Sequence, residues 1–264
     1  MKDTFRSLVV AMLARQNAFP TGRIPRQDLL ALVRALRPVM PAQPLVRLGG
    51  DGDGGYLVPD DLDGLTACYS PGVNDVSRFE KDCAARGMDV YMADRSVEGP
   101  AEPDPRFHFL PAYVGAFSDD GFVTLDAWVE ANTPEGTGDL LLQMDIEGYE
   151  YEVLLAASEA LLRRFRIVVI EFHDLDKWWS TPFFSLASRA VYKLLHTHAC
   201  VHLHPNNCCG ATTSDGVTVP RLMEMTFVRR DRLGMTAMRT DFPHPLDRDN
   251  TSLSTLPLPS EWYT

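Results

Sequence analysis

Three carboxylates follow the most apolar segment of the chain, where they could bind a metal ion or accept a proton. The run Leu140–Leu142 leads into Asp145, Glu147 and Glu150. Carboxylates at a strand end face a cleft in which they coordinate cations or act as general bases. Acids are also stabilised in the first turn of a helix, which accounts for Glu150 as a solvated charge. That explanation does not cover Asp145, which still belongs to the strand, and Asp145 is therefore a candidate catalytic residue.

A second apolar run, Val168–Ile170, leads into Glu171 and His173. Strand alternation places these two side chains on one side, so we expect both to converge on Asp145. Such a set suits a divalent cation, Mg²⁺ or another, held by Asp145, Glu171, His173 and Glu147. It also suits acid–base chemistry, with His173 as the first candidate for the general base and Asp145 as the second.

A turn and a downstream acid form a candidate nucleoside site. Ser70-Pro-Gly72-Val-Asn74 separates a short strand from a helix, and Asp94 ends the next strand about 20 residues after Gly72. A glycine allows close approach of the backbone to a ligand, and a helix start offers free N–H groups. An acid at this spacing bonds a ribose hydroxyl, so we predict that Ser70, Gly72, Asn74 and Asp94 bind a nucleoside cofactor. The segment lacks G-x-G-x-x-G, which disfavours a dinucleotide.

Strand-like and helix-like segments alternate from residue 67 onward, which predicts an α/β fold. The pattern indicates one mostly parallel, Rossmann-like sheet with helices on both faces. Before it, a leucine stripe at 26–37 predicts a helix, and the Gly/Asp-rich segment 47–60 predicts a β-hairpin. We expect an N-terminal helical extension at 1–44, the main domain at 45–231 and an irregular C-terminal tail at 232–264. After the hairpin we expect strands at 67–70, 89–93, 107–114, 139–146, 166–172, 200–204 and 224–230. We expect helices at 76–86, 124–131, 149–163 and 183–196.

Composition narrows the partners that the chain can take. A net charge of −11 and a pI near 5.0 disfavour nucleic acids and anionic membranes, which select basic surfaces. No run of eighteen apolar residues occurs, so no membrane span is expected. Five irregularly spaced cysteines do not form a disulfide framework, which points to a reducing, cytoplasmic location. Small molecules or neutral glycans are the expected ligands.

Several segments, in order, resemble the FkbM-type methyltransferases. Met144-Asp-Ile-Glu-Gly-Tyr-Glu150 is similar to that family's D-x-E-G-x-E signature, while Ser70-Pro-Gly-Val-Asn-Asp75 departs from its D-x-G-A-N-x-G. The resemblance implies a class I methyltransferase fold, S-adenosylmethionine as the donor, and transfer to a hydroxyl, often of a sugar. It also adds Asp53 and Tyr56 to the candidate cofactor-binding residues. The further matches are Asp53-Gly-Gly-Tyr56, Ser70-Pro-Gly-Val73 with Phe79-Glu80, Glu171-Phe-His173, His204-Pro-Asn-Asn207 and Glu224-Met-Thr-Phe227.

Two other functions use the same residues. A metal-dependent hydrolase would employ the strand-end carboxylates with His173 and His204. A module that binds glycans or proteins without catalysing a reaction would use the methyltransferase scaffold only for binding. Binding of S-adenosylmethionine separates a methyltransferase from the hydrolase, and turnover separates it from the module. The sequence is compatible with a homo-oligomer and does not name the acceptor.

Overall fold

The computed structural model describes residues 9–13, 15, 20–73, 76–136, 138–234 and 237–264. The α-helices are α1 (Arg26–Ala35), α2 (Arg78–Ala85), α3 (Leu125–Asn132), α4 (Glu150–Ala156), α5 (Glu159–Leu162) and α6 (Thr181–Thr197). The strands are β1 (Leu45–Leu48), β2 (Tyr56–Pro59), β3 (Leu65–Pro71), β4 (Asp89–Ala93), β5 (Phe107–Leu110), β6 (Tyr113–Gly115), β7 (Phe122–Thr124), β8 (Asp139–Met144), β9 (Phe165–Phe172), β10 (His198–Pro205), β11 (Ala211–Ser214), β12 (Val217–Pro220) and β13 (Met223–Arg229). Short 3₁₀ helices cover Leu175–Trp179, Arg230–Arg232 and Ser260–Trp262.

Seven strands form one mixed sheet in the order β10-β13-β9-β8-β3-β4-β5. Neighbours from β9 to β5 pair in parallel, whereas β13 pairs antiparallel with both β9 and β10. The α/β class and the mostly parallel sheet predicted from the sequence are confirmed.

The order of the strands places a crevice at the middle of the sheet. From β3 the chain moves outward through β4 and β5, then returns to β8 on the other side of β3 and continues to β9. Ligands of open parallel sheets bind beyond the carboxyl ends of the strands at such a reversal. The residues that follow β3, β4 and β8 therefore line the expected site.

Alternating side chains of the strands divide between two hydrophobic cores. Leu140 and Leu142 of β8 lie in one core, together with residues of α1, α3, α4, α5 and α6. Leu141 lies in the other, together with residues of α2 and of the hairpin β1–β2. Helices are thus present on both faces, as expected, but the hairpin provides part of the cover on the second face.

Three segments differ from the sequence prediction for local reasons. The single strand expected at 107–114 is split into β5 and β6 around Pro111, which has no N–H to donate to a ladder. The helix expected at 149–163 is interrupted at Ser158, whose hydroxyl accepts from the Leu161 N–H and caps α5. The hairpin of β11 and β12, joined at Asp215 and Gly216, was not expected.

Helix α1 and the C-terminal segment both pack into the larger core. Helix α1 buries Leu29 and Leu32 in the larger core, and Trp262 from the tail is buried in the same core. The Trp262 indole N–H donates to the Thr218 carbonyl at 3.0 Å. The predicted domain boundaries at residues 44 and 231 remain predictions.

None of the helices in the described ranges is both long enough and apolar enough to cross a membrane.

A buried histidine at the start of β10 should make stability depend on pH. The His198 Nε2–H donates to the Phe165 carbonyl at 2.9 Å, Nδ1 lies 2.7 Å from the Thr197 hydroxyl, and the ring is 0% exposed. Burial lowers the pKa of His198 to about 4, although the hydrogen bond to the Phe165 carbonyl acts in the opposite direction and raises it. Because the folded pKa lies below the unfolded value, this group contributes stability above pH ~6.5 and loses it as the pH falls towards 4.

We therefore expect the free energy of unfolding to fall by about 2 kcal/mol between pH 7.5 and 5 on account of His198. Urea unfolding of His198→Gln should show a pH dependence smaller by that amount. The exposed His108→Gln is the matched control and should keep the wild-type dependence. Equal pH dependence in His198→Gln and the wild type would show that this ring is not held neutral.

Candidate functional site

The loop after β8 folds back to enclose the carboxylate of Glu150. Glu147 has a φ of 57° and Gly148 a φ of 103°, so two consecutive residues adopt left-handed backbone. This turn directs the N–H groups of Ile146 and Gly148 to Glu150 Oε1, at 3.2 Å and 3.0 Å. Glu150 is 0% exposed, so the expectation of a solvated charge at a helix start is wrong.

The same carboxylate fixes His173, which follows β9. Nδ1 of His173 lies 3.0 Å from Glu150 Oε1, and because a carboxylate accepts, Nδ1 carries the hydrogen. Nε2 then faces Asp145 Oδ1 at 3.7 Å and Glu147 Oε2 at 3.3 Å. Asp145 and His173 are thus brought together as predicted, with two further carboxylates around the ring.

Three neighbouring carboxylates change the acid–base behaviour of His173. Burial alone lowers its pKa, but the hydrogen bond and charge of Glu150, with the charges of Asp145 and Glu171, raise the pKa to about 9. At neutral pH the metal-free ring is therefore an imidazolium. The sequence led us to expect titration near neutral pH, and the raised pKa lies above that range, while the role of His173 as general base stays a prediction.

Glu171 lies on the same sheet face but is engaged elsewhere. It is buried, accepts from Asn206 Nδ2 at 2.8 Å, and stands opposite Glu224 in the ladder of β9 and β13. Burial and then the charge of Glu224 raise the pKa of Glu171 to about 8. Among the described residues, the group whose ligand atoms lie within 4.8 Å of one another is Asp145, Glu147 and His173, without Glu171.

A cavity of about 520 Å³ opens at the carboxyl ends of β3, β4 and β8. Its position coincides with the crevice expected from the strand order, and its volume lies within the range of small-molecule sites. Asp145 and Glu147 form part of its wall, so the cavity is directly beside His173. The lining residues are Gly72, Val73, Ala93, Asp94, Ser96, Tyr113, Val114, Phe122, Asp145, Ile146, Glu147 and Tyr149.

Gly72 and Asp94 occupy the positions that the sequence assigned to a nucleoside ligand. A Cβ at Gly72 would lie 1.5 Å from the Asp145 carbonyl oxygen, and its φ is 85°, so only glycine fits here. Asp94 Oδ1 accepts from the N–H and hydroxyl of Ser96 at 2.6 Å and 2.7 Å. No partner for Oδ2 occurs within the described ranges, which leaves that oxygen available to a ligand.

Three other predicted cofactor residues do not line the cavity. Tyr56 is buried in β2 beside Gln143 Nε2, and Asp53 in the hairpin turn accepts from Asn250. Ser70 Oγ lies 2.5 Å from Glu80 Oε1 and 2.6 Å from Gln143 Oε1, inside the protein. Their contribution to cofactor binding stays a prediction. Asn74, the remaining candidate, lies outside the described residues.

Aromatic residues at the cavity mouth were not selected from the sequence. The rings of Tyr113, Phe117 and Tyr149 pack around Phe122, with centroid distances of 5.5, 6.1 and 6.4 Å. We call these four residues the aromatic rim. Three of them, Tyr113, Phe117 and Tyr149, expose large parts of their side chains. Their spacing in sequence follows no helical or strand period, so only the fold brings them together.

Comparison with known families agrees with the site. A model of the methyltransferase FkbM domain matches residues 122–195, from β7 into α6. This segment contains Asp145, Glu147, Glu150 and His173, and the match indicates a methyltransferase. No curated protein was found to match the chain. The resemblance predicted from the motifs is therefore confirmed over residues 122–195, the segment of the chain that matches the methyltransferase FkbM domain.

Proposed function

We propose that the protein is an S-adenosylmethionine-dependent O-methyltransferase of the class I, Rossmann-like fold. The acceptor is a hydroxyl of a sugar, a glycan or a related small molecule. The observation that carries the proposal is the cavity shared by Gly72, Asp94 and Asp145. In this cavity the residues that we assign to a nucleoside lie next to the cluster of carboxylates around His173. Part of the same chain matches a methyltransferase domain.

The residues present fit S-adenosylmethionine. Gly72 lines the cavity, and its lack of a side chain lets the end of β3 pack directly against the Asp145 carbonyl. Asp94, at the end of β4, has one carboxylate oxygen available for ribose hydroxyls. Val114 and Ser96 also line the cavity, whose volume is about 520 Å³.

When bound, the cofactor supplies an electrophilic methyl group that passes from sulfur to the acceptor oxygen, which loses its proton. The protein must align this oxygen and receive the proton. Asp145 is one of three carboxylates that line the cavity, and its Oδ1 lies 3.7 Å from His173 Nε2. We therefore assign the proton-accepting position to Asp145 and a supporting position to His173, reversing the order expected from the sequence.

The surroundings of the cavity favour an uncharged acceptor with a ring. Tyr113, Phe122 and Tyr149 present aromatic surface at the mouth, against which the apolar face of a sugar can pack. Asp94, Asp145 and Glu147 make the wall acidic, and a net charge of −11 repels anionic acceptors. A divalent cation, Mg²⁺ or a related ion, is proposed beside them to acidify the hydroxyl.

All five cysteines are free thiols, and Cys68, Cys83 and Cys200 are buried. Free thiols persist in reducing compartments, so we propose that the protein acts in the cytoplasm.

The assignment of Asp94 to the ribose predicts a loss of cofactor affinity. In calorimetric titrations with S-adenosylmethionine, Asp94→Ala should weaken binding by about 1–3 kcal/mol, roughly 5- to 150-fold in Kd. Asp89→Ala is the matched control, because Asp89 begins the same strand at its opposite end. An unchanged Kd in Asp94→Ala, with its fold intact by circular dichroism, would reject the assignment.

A further inference from the structure

We propose that Asp145, Glu147 and His173 bind a divalent transition-metal ion such as Mn²⁺, Fe²⁺ or Zn²⁺, and that Glu150 positions His173 for it. This metal site deepens the proposed function. Only the role of the ion in methyl transfer rests on that function. Of the expected ligands Asp145, Glu147, Glu171 and His173 the site keeps all but Glu171, and of the expected cations it favours one that binds nitrogen over Mg²⁺.

The spacing of the three side chains suits one ion. Nε2 of His173 lies 3.3 Å from Glu147 Oε2 and 3.7 Å from Asp145 Oδ1. Two ligand atoms at about 2.1 Å from a metal are roughly 3.0 Å apart when adjacent and about 4.2 Å apart when opposite. Both measured separations fall inside that interval. Ligand atoms of all three residues lie within 4.8 Å of one another, so small side-chain movements complete the set.

Glu150 is an independent indication of a metal ligand. Histidines that bind metals donate their other ring N–H to a carboxylate, which fixes the tautomer and the ring orientation. Glu150 Oε1 accepts from Nδ1 of His173 at 3.0 Å and is itself held by the N–H groups of Ile146 and Gly148. His173 is nine-tenths buried, and within the described ranges its Nε2 forms no hydrogen bond. That nitrogen therefore lies between two carboxylates, and its ion-pair contacts are with Glu147 at 3.3 Å and Asp145 at 3.7 Å.

The backbone conformation of Glu147 also supports a binding site here. A glutamate with φ of 57° adopts a conformation that costs energy for residues with a Cβ, and such strain concentrates at functional sites. Its side chain is 87% exposed, and its Oε2 lies 3.3 Å from Nε2 of His173. An ion would stabilise this arrangement by neutralising the two facing carboxylates.

Glu171 does not fit the same ion, because its carboxylate is already bound to Asn206 and lies beside Glu224. The three remaining ligands are one imidazole nitrogen and two carboxylates. Imidazole favours Mn²⁺, Fe²⁺ and Zn²⁺ over Mg²⁺, which prefers oxygen and water. Because Asp145 and Glu147 line the cavity, an ion held by them would lie at the cavity wall.

Metal binding to the full chain tests the site without any acceptor. We expect calorimetry to show one Mn²⁺ site at least ~10-fold tighter than the Mg²⁺ site. Glu147→Gln and Glu150→Gln should each weaken Mn²⁺ binding by about 10- to 100-fold. Glu171→Gln should change it far less, and Glu130→Gln, an exposed glutamate of α3, is the matched control. Pulsed EPR of bound Mn²⁺ should show nitrogen coupling that disappears in His173→Gln.

Absence of a stoichiometric Mn²⁺ site, or nitrogen coupling that survives in His173→Gln, would overturn the proposal. So would equal losses in Glu147→Gln and Glu130→Gln. If Glu171→Gln weakens binding as much as Glu147→Gln does, the proposed ligand set is wrong. If the chain binds S-adenosylmethionine but no metal, the metal site is rejected and the methyltransferase proposal stands. If it binds the metal but no S-adenosylmethionine, the methyltransferase proposal is rejected and the metal site stands.

Discussion

Replacing Asp145 by asparagine should lower turnover by at least ~100-fold, the lower range for loss of a general base. Asparagine keeps the size of the side chain and still lines the cavity, but it cannot accept a proton or neutralise a cation. The change therefore removes a proton acceptor and a negative charge from the cavity wall next to His173. Gly72 and Asp94, which we assign to the cofactor, stay in place. A methyl-transfer assay on an identified acceptor measures the effect.

The affinity for S-adenosylmethionine and the melting temperature of Asp145→Asn should stay close to the wild type. Asp126→Asn is a suitable comparison, since Asp126 lies in the first turn of α3, accepts from the Ser158 N–H and does not line the cavity. Turnover within a few-fold of the wild type in Asp145→Asn would exclude Asp145 from the chemistry.

Glu150→Gln should lower turnover by about 10- to 100-fold, although Glu150 does not line the cavity. The carboxylate is the group that accepts from His173 Nδ1 and thereby directs Nε2 towards Asp145. A glutamine keeps the volume but loses the charge, and its amide can donate to the ring and reverse the tautomer. Nitrogen NMR of the histidine ring should show this change of tautomer or of protonation in the variant.

A purely structural role for Glu150 would lower stability without altering the His173 ring signals. Glu150→Asp serves as the conservative variant, because it retains the charge and should recover part of the turnover. If Glu150→Gln keeps both wild-type turnover and wild-type ring signals, Glu150 is not a positioning residue.

The sequence was sufficient for the parts of the fold that depend on local pattern. Strand β4 was predicted at its observed bounds, Asp89–Ala93, because an apolar run stands between a helix-ending glycine and an acid. Continuous apolar runs identified β8 and β9 as strands buried on both faces. Once these strands are parallel neighbours, Asp145 and His173 must emerge at one edge of the sheet.

The partners of the site residues depend on contacts that no local pattern contains. Glu171 was expected in the metal set, but its neighbours come from much later in the chain, since Asn206 follows β10 and Glu224 lies in β13. Glu150 was expected in solvent, because the acidic start of a helix is normally exposed. Only the left-handed turn at Glu147 and Gly148 brings the carboxylate under His173, and an alternating pattern does not reveal that turn.

Calorimetric titration of the wild-type chain with S-adenosylmethionine and with S-adenosylhomocysteine tests the central claim most directly. We predict one binding site per chain for each ligand, mutual competition between them, and weaker binding in Asp94→Ala than in Asp89→Ala. The absence of binding heat with either ligand, in protein that unfolds cooperatively and is therefore folded, would contradict the assignment of this cavity to a methyl donor.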